Sequence, residues 1–542
     1  MTMGSMFNRG DVMGSASYSP YSLWQKIEMP VLPELDRHVT VDVCVIGGGI
    51  AGLMTAYELL RSGRKVAVLE RHRLGMGDTG LTSAHLSNIL DEGFKKIIQL
   101  HGLDGARLAY ESHAAAIDEI ERIQNEEGID CEFKRVDGYL FQGTEGTPKE
   151  LKDELDACRD LGVDGVESVR TLPLKSFDPG GALFFPRQAQ FHSLKFLRGL
   201  VGAIFRMGGE IYTETTATEI GGGSAAFVRT HRGFTVSCSS VVMATGVPFQ
   251  GGLSIHTKEA AYRSYVIVLE IEKGVMPDIL LWDTETPYHF VRKFSDLETG
   301  REYLIAGGED HKTGQDALPL QHFENLQNWV VDRLGLTGTL VNQWSGQITE
   351  PVDGLAYLGR HPNLGPNVYS ISGDSGHGLT HATIGALLLT DLINGHKNEW
   401  ESLYDPSRTS WMGLGGFLAE NSNLVAQYAD WVSLGDVASE SEIPPGEGAV
   451  MRRGLRKVAV YRDQAGDLHR LSAVCPHLGG LVRWNSAEKT WDCPCHGSRF
   501  DSTGDVLNGP AIEGLGKEDV EEEIQREPRD ESLNTLELRR TD

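Results

Sequence analysis

Between Val41 and Glu70 the chain reads VDVCVIGGGIAGLMTAYELLRSGRKVAVLE, and no other stretch restricts its fold so tightly. Val43 to Ile46 is a short unbroken apolar run, the pattern of a parallel strand buried on both faces. Gly47, Gly49 and Gly52 follow in G-x-G-x-x-G spacing, then a helical pattern to Leu60 and a stop at Gly63. A second apolar run, Val66 to Leu69, closes on Glu70. Gly47 permits a tight turn, Gly49 lets backbone approach a pyrophosphate, and Gly52 brings helix and strand together. The helix N-terminus offers unbonded N–H groups to phosphates, and Glu70 is placed to accept hydrogen bonds from a ribose. Strand, helix, strand and terminal acid in this order predict a dinucleotide site.

Two later stretches favour FAD over NAD. VVMATG (241–246) is a strand entering a small-residue turn at Ala244 and Gly246, as expected where a chain passes a nucleotide again. NVYSISGDSGHGLTHATIGALLLTDLI (367–393) is a strand, a turn with Gly373 and Gly376, then a long apolar helix. The helix start near Gly378, Leu379 and Thr380 carries partial positive charge, which suits the anionic N1–C2 edge of a reduced flavin.

These motifs, with GMGDTGLTSAHLS (75–87), WSGQITEPVDGLAYLGR (344–360) and GDSGHGLTHATIG (373–385), resemble the D-amino-acid oxidase/glycine oxidase superfamily over roughly 38–400. The resemblance implies an α/β (α+β) flavoprotein: a Rossmann-like FAD domain built from separated segments, with an antiparallel-sheet substrate domain over the flavin. Carried over, Gly47, Gly49, Gly52, Glu70, Arg71, Gly77, Thr79, Ala84, Ala217, Ala244, Gly246, Gly373, Gly376, Gly378, Leu379 and Thr380 contact the cofactor. The amino-acid oxidases of this superfamily place a carboxylate-gripping arginine about five residues before an Asp-Gly pair. Here that position is Ile348, ahead of Asp353-Gly354, so a simple amine is favoured over an α-amino acid. Arg263 or Arg292 is the available substitute. Lys258, His85, Tyr288 and Arg263 are the catalytic candidates, and Tyr262, Tyr265, His289 and Trp344 are further pocket candidates; packing within the sheet is the competing role for each.

Near the other end stands CPHLGGLVRWNSAEKTWDCPCHGSRF (475–500). Cys475-x-His477 and Cys493-x-x-His496 fit a tetrahedral zinc, or a Rieske [2Fe–2S] centre with the cysteines on one iron and the histidines on the other. Gly479, Gly480 and Gly497 favour the second, by leaving N–H groups to face bridging sulfides. The stretch resembles the Rieske domain over about 441–516, an all-β unit. High-potential members carry a second cysteine where Gly480 stands, so Cys495 lacks its disulfide partner. Ser498 keeps a hydroxyl for the cluster, while Phe500 replaces a tyrosine. Fewer hydrogen bonds to sulfur predict a mid-range potential within roughly −150 to +300 mV, checked by redox titration. The pairing of the two domains resembles bacterial FAD-dependent oxidoreductases with a C-terminal Rieske domain.

The expected organisation is an extension at 1–37, the flavin unit at 38–403, a linker with a helix over 417–432 at 404–440, the Rieske unit at 441–516 and an acidic tail at 517–542. Such a chain, of 542 residues, is long enough for these separate cores. A formal charge of −26 argues against nucleic acid or an anionic membrane as partner. No run of 18 apolar residues is present and the first 25 do not read as a secretory signal. Cys44, Cys131, Cys158 and Cys238 are scattered singly, which fits buried small hydrophobes and a reducing cytoplasm.

The expected chemistry is oxidation of a small amine, with electrons passing from flavin to the cluster and, through His477 or His496, to an external acceptor protein. The alternatives are reverse flow, with a donor protein feeding the cluster; a mononuclear-iron oxygenase using Asp374, His377 and His381; and a redox sensor. A homo-oligomer is compatible with all of them.

Overall fold

A computed structural model describes residues 21–409 apart from 145 and 317, the single residues 427 and 431, and residues 435–518. The helix expected over 417–432, most of the acidic tail and residues 1–20 lie outside the described residues.

Val43–Ile46 lies inside a six-stranded sheet ordered Tyr357–Arg360, Val368–Ser372, Ser240–Gly246, Val43–Ile46, Val66–Leu69, Glu210–Tyr212. Every pairing is parallel except the one between the first two strands. The unbroken apolar run has a plain cause. Val43 and Val45 face a core with helices Ile50–Arg61 and Gly378–Ile393, whereas Cys44 and Ile46 face a second core under a four-stranded sheet that includes Val228 and Val236. No disulfide joins any cysteine among the described residues, and burial raises the Cys44 thiol well above its ordinary pKa.

The substrate domain is a nine-stranded, mostly antiparallel sheet with Glu259–Ile271 between Thr339–Pro351 and Glu302–Lys312, and His289–Ser295 beyond. Helix Pro319–Leu334 covers one face through Phe323, Leu326, Val330 and Leu334, leaving the other face for the cofactor. The C-terminal unit is all β: three antiparallel strands (Glu447–Arg453, Arg456–Arg462, Leu468–Ser472) and four (Arg483–Asn485, Thr490–Asp492, Arg499–Asp501, Val506–Asn508) around Trp491, Phe500 and Leu471. Among the described residues no helix is long and apolar enough to cross a membrane.

Candidate active site and cluster loops

A cavity of about 330 Å³ runs along the ends of the parallel strands and under the substrate sheet. Of the expected cofactor residues, Gly47, Gly49, Glu70, Arg71, Gly77, Thr79, Ala217, Ala244, Gly246, Gly373, Gly376, Gly378 and Leu379 line it. Gly52, Ala84 and Thr380 do not. A Cβ on Gly52 would stand 1.9 Å from the Gly47 carbonyl oxygen, so its work is helix–strand packing. Ala84 is fully buried and its carbonyl accepts from Arg292 at 2.7 Å, while the Thr380 hydroxyl donates to the His377 carbonyl at 3.1 Å.

The donor set fits FAD. Gly47 has φ +114°, and a Cβ there would lie 2.2 Å from the Ala244 carbonyl oxygen, so only glycine makes the turn. The first N–H of the helix beginning at Ile50 donates to Thr79 Oγ1 at 3.0 Å, the N-cap residue of the helix beginning at Gly378 makes no side-chain cap bond, and both starts line the cavity. The Glu70 carboxylate accepts from the Gly48 N–H at 2.6 Å and the His72 N–H at 2.8 Å, which fixes it at the cavity wall.

The catalytic candidates fare differently. Tyr288 lines the cavity beside Gly376 and Asp91; burial, followed by Asp91, Asp310 and Glu350, holds its hydroxyl well above the usual pKa, hence protonated. His85 stands behind Phe290, ring centroids 5.0 Å apart, and burial keeps it neutral; it does not line the cavity. Lys258 is turned away, donating to the carbonyls of Pro406 (3.1 Å) and Arg408 (2.9 Å), and therefore anchors the segment leaving the flavin unit. Arg263 is fully buried but pairs with Glu488 of the C-terminal unit at 2.7 Å, so it joins domains and does not grip substrate. Arg292 is bound to the carbonyls of Ser83 and Ala84. Ile348 lines the cavity where an arginine was missing. Tyr265, bonded to His311, and His289, bonded to Asp283, also point elsewhere. The oxygenase triad does not converge: His381 meets His113 at 3.2 Å, whereas His377 meets Asp91 at 3.3 Å.

The two cluster loops are built alike. Cys475 N–H donates to Gly480 O (2.8 Å) and Gly479 N–H back to Cys475 O (3.0 Å). Cys493 N–H donates to Ser498 O (2.8 Å) and Gly497 N–H back to Cys493 O (3.1 Å). Gly479 and Gly497 adopt φ +75° and +77° to close these loops. The Gly479 and Gly497 N–H groups are thus taken by cysteine carbonyls, a departure from the expectation for these two glycines. The Cys475 and Cys493 side chains hydrogen-bond each other, and the His477 and His496 rings stand 5.1 Å apart at 90°. Two thiols and two imidazoles brought together by two matching loops are a donor set that fits a Rieske cluster. A Cβ on Gly480 would meet Cys495 Sγ at 2.5 Å, so this pair does occupy the place of the absent disulfide. Ser498 hydrogen-bonds Cys475 and accepts from Ala511 N–H at 3.1 Å.

The His477 and His496 rings face the flavin unit. His256 of the flavin unit lies 4.9 Å from the His477 ring and 5.5 Å from His496, and burial pushes its pKa down to about 3, so it is neutral. Gly497 abuts Ala261 and Gln347, and Gln347 also lines the flavin cavity. Leu507, Asn508 and Gly509 of the C-terminal unit line that cavity too. Arg71 donates to Ala511 O at 3.3 Å and His72 meets Val506 O at 3.0 Å. None of these cross-domain contacts has a local motif, so sequence reasoning missed them.

Residues 42–392 match the family described as FAD dependent oxidoreductase, and residues 433–519 match the Rieske [2Fe-2S] domain. The Rieske 2Fe-2S iron-sulfur protein YhfW of Bacillus subtilis (strain 168) is 32% identical, over 93% of this chain and 99% of its own. Gamma-glutamylputrescine oxidoreductase of Escherichia coli (strain K12) is 26% identical, over 68% of this chain and 87% of its own. The crystal structure of glycine oxidase from Geobacillus kaustophilus shares the fold, with a TM-score of 0.57 at 19% identity over 68% of this chain and 99% of that one. The chain belongs to the FAD dependent oxidoreductase family and carries a Rieske [2Fe–2S] domain on the same polypeptide.

Proposed function

We propose that this oxidoreductase oxidises a C–N bond of a small amine and delivers the electrons from FAD to its own Rieske cluster. The observation that carries the reading is Gln347, which lines the flavin cavity and also touches Gly497 of a cluster loop, with Nε2 3.0 Å from the position of a Gly497 Cβ. FAD accepts a hydride from carbon when bound, and a Rieske cluster accepts single electrons. The short approach and the ligand histidines facing the flavin unit support transfer within one chain.

The protein's side chains supply binding and proton control. The Tyr288 hydroxyl stays protonated and donates to Asp91. Burial raises Asp310 to about 7 and Glu350 well above the usual carboxylate range, so of the three acids behind Tyr288 it is Asp91 that takes its hydrogen bond. Ile348 in place of a carboxylate clamp supports the small-amine substrate class, as does similarity to an enzyme named for gamma-glutamylputrescine. Cytoplasmic residence and an external acceptor protein complete the proposal.

The test is an anaerobic visible spectrum of the holoprotein against a panel of amines and amino acids. The expected result is flavin bleaching by an amine, followed by loss of the Rieske bands. Bleaching by a reduced ferredoxin and by no amine would establish the reverse direction instead.

A further inference from the structure

Outside the flavin cavity and the cluster loops, His311, Asp316 and His322 bring their ligand atoms within 4.8 Å of one another. His311 is the penultimate residue of the strand Glu302–Lys312, His322 lies in the first turns of helix Pro319–Leu334, and Asp316 sits between. His322 Nε2 is 2.5 Å and His311 Nε2 3.9 Å from Asp316 Oδ2. The two imidazoles stack, centroids 4.8 Å apart at 20°. We propose that these three residues hold one divalent transition-metal ion of the zinc class, which clamps the segment on which the Rieske domain rests.

The surroundings are those of a metal site. His311 Nδ1 is 2.9 Å from the Lys312 carbonyl oxygen, and His322 Nδ1 is 3.1 Å from Glu309 Oε2. Glu309 is itself held by Asn325 Nδ2 at 2.8 Å. A carbonyl on one Nδ1 and a carboxylate on the other fix both rings with Nε2 toward Asp316, the arrangement that orients and strengthens imidazole ligands. Side-chain exposures of 17, 24 and 18% for His311, Asp316 and His322 leave an entry path. In the metal-free arrangement Tyr265 OH lies 2.8 Å from His311 Nε2, and His322 bridges Asp316 and Glu309. An ion replaces the tyrosine hydrogen bond and releases the proton shared by His322 and Asp316. Two nitrogens and one carboxylate select zinc-class ions over calcium or magnesium, which require mostly oxygen ligands. Among the described residues a second candidate group, Asp283, Glu285 and His289, offers one nitrogen only.

The site has a structural target. The segment between His311 and Asp316 carries Gly314, whose carbonyl accepts from Arg483 at 3.3 Å and whose Cβ, if present, would lie 2.9 Å from Asp492 O. Gln315 reaches the Pro494 carbonyl at 3.5 Å, one residue beyond the ligand Cys493. An ion joining both ends of this segment to helix and strand stiffens the seat of the second cluster loop.

The test uses the full-length holoprotein, treated with chelator and titrated with Zn²⁺ and Co²⁺, with metals counted by elemental analysis. The expected result is one zinc per chain beyond the cluster iron, with slower hydrogen exchange across 311–316. Binding weakens by more than about 100-fold in the His311→Gln/His322→Gln variant and roughly 10- to 100-fold in Glu309→Gln, which removes no ligand. The variants are compared only where flavin and Rieske absorption are retained. Absence of zinc uptake at micromolar metal, or equal uptake by wild type and the double variant, overturns the proposal.

Discussion

Replacing Glu488 by alanine separates the Rieske unit from the flavin unit and lets FAD escape. The Glu488 side chain is 5% exposed and lies between Arg263, 0% exposed, and Arg499, 4% exposed. Burial opposes its ionisation, yet the two guanidinium groups hold its carboxyl below the usual carboxylate range. Truncation leaves Arg263 as a buried cation facing no carboxylate there, a change that costs about 3–5 kcal/mol. The loss falls on the interface that seats Leu507, Asn508 and Gly509 in the cavity wall. The expected result is faster FAD loss on ultrafiltration with Rieske absorption preserved. The pH dependence has a defined sign. A depressed carboxylate contributes stability above its unfolded pKa, about 4.3, and loses it as pH falls below that value. Wild-type docking therefore holds at neutral pH and fails in acid, whereas the variant is loose throughout. FAD retention equal to wild type at pH 7 would refute the anchoring role.

Gly47→Val removes FAD while leaving the cluster in place. The new side chain meets backbone, since the nearest atom to a Cβ is the Ala244 carbonyl oxygen at 2.2 Å, and φ +114° is unfavourable to any L residue. Left-handed strain and overpacking together cost about 2–5 kcal/mol. That weakens FAD roughly 30- to 4,000-fold at 1.4 kcal/mol per decade. Fluorescence titration of the FAD-stripped protein reads this directly, and retained Rieske bands exclude general misfolding. Affinity within about three-fold of wild type, a threshold of roughly 0.7 kcal/mol, would contradict the turn's role.

What was legible in the sequence was local. Gly47, Gly49 and Glu70 act within one βαβ unit, and each cluster loop closes on itself within six residues, so their chemistry is written in short spacings. Lys258 and Arg263 were misread because their roles depend on distant partners. Lys258 meets Pro406 at a separation of 148 residues, and Arg263 meets Glu488 at 225. Both lie on or beside the strand Glu259–Ile271, where alternation shows that a side chain is inward but not which domain it meets. Ile348 was informative for the opposite reason, because an expected cation was missing from a local motif. The doubled structure of the cluster loops was visible as Cys/His spacing, but the turning of His477 and His496 toward His256 was not.

The cavity wall also imposes an order on maturation. Leu507, Asn508 and Gly509 follow every other lining residue in the chain, the next latest being Ala382. A flavin unit emerging during synthesis therefore presents an open cleft until the Rieske domain has folded against it. The iron–sulfur domain thus completes the wall of the flavin cavity as well as standing beside it.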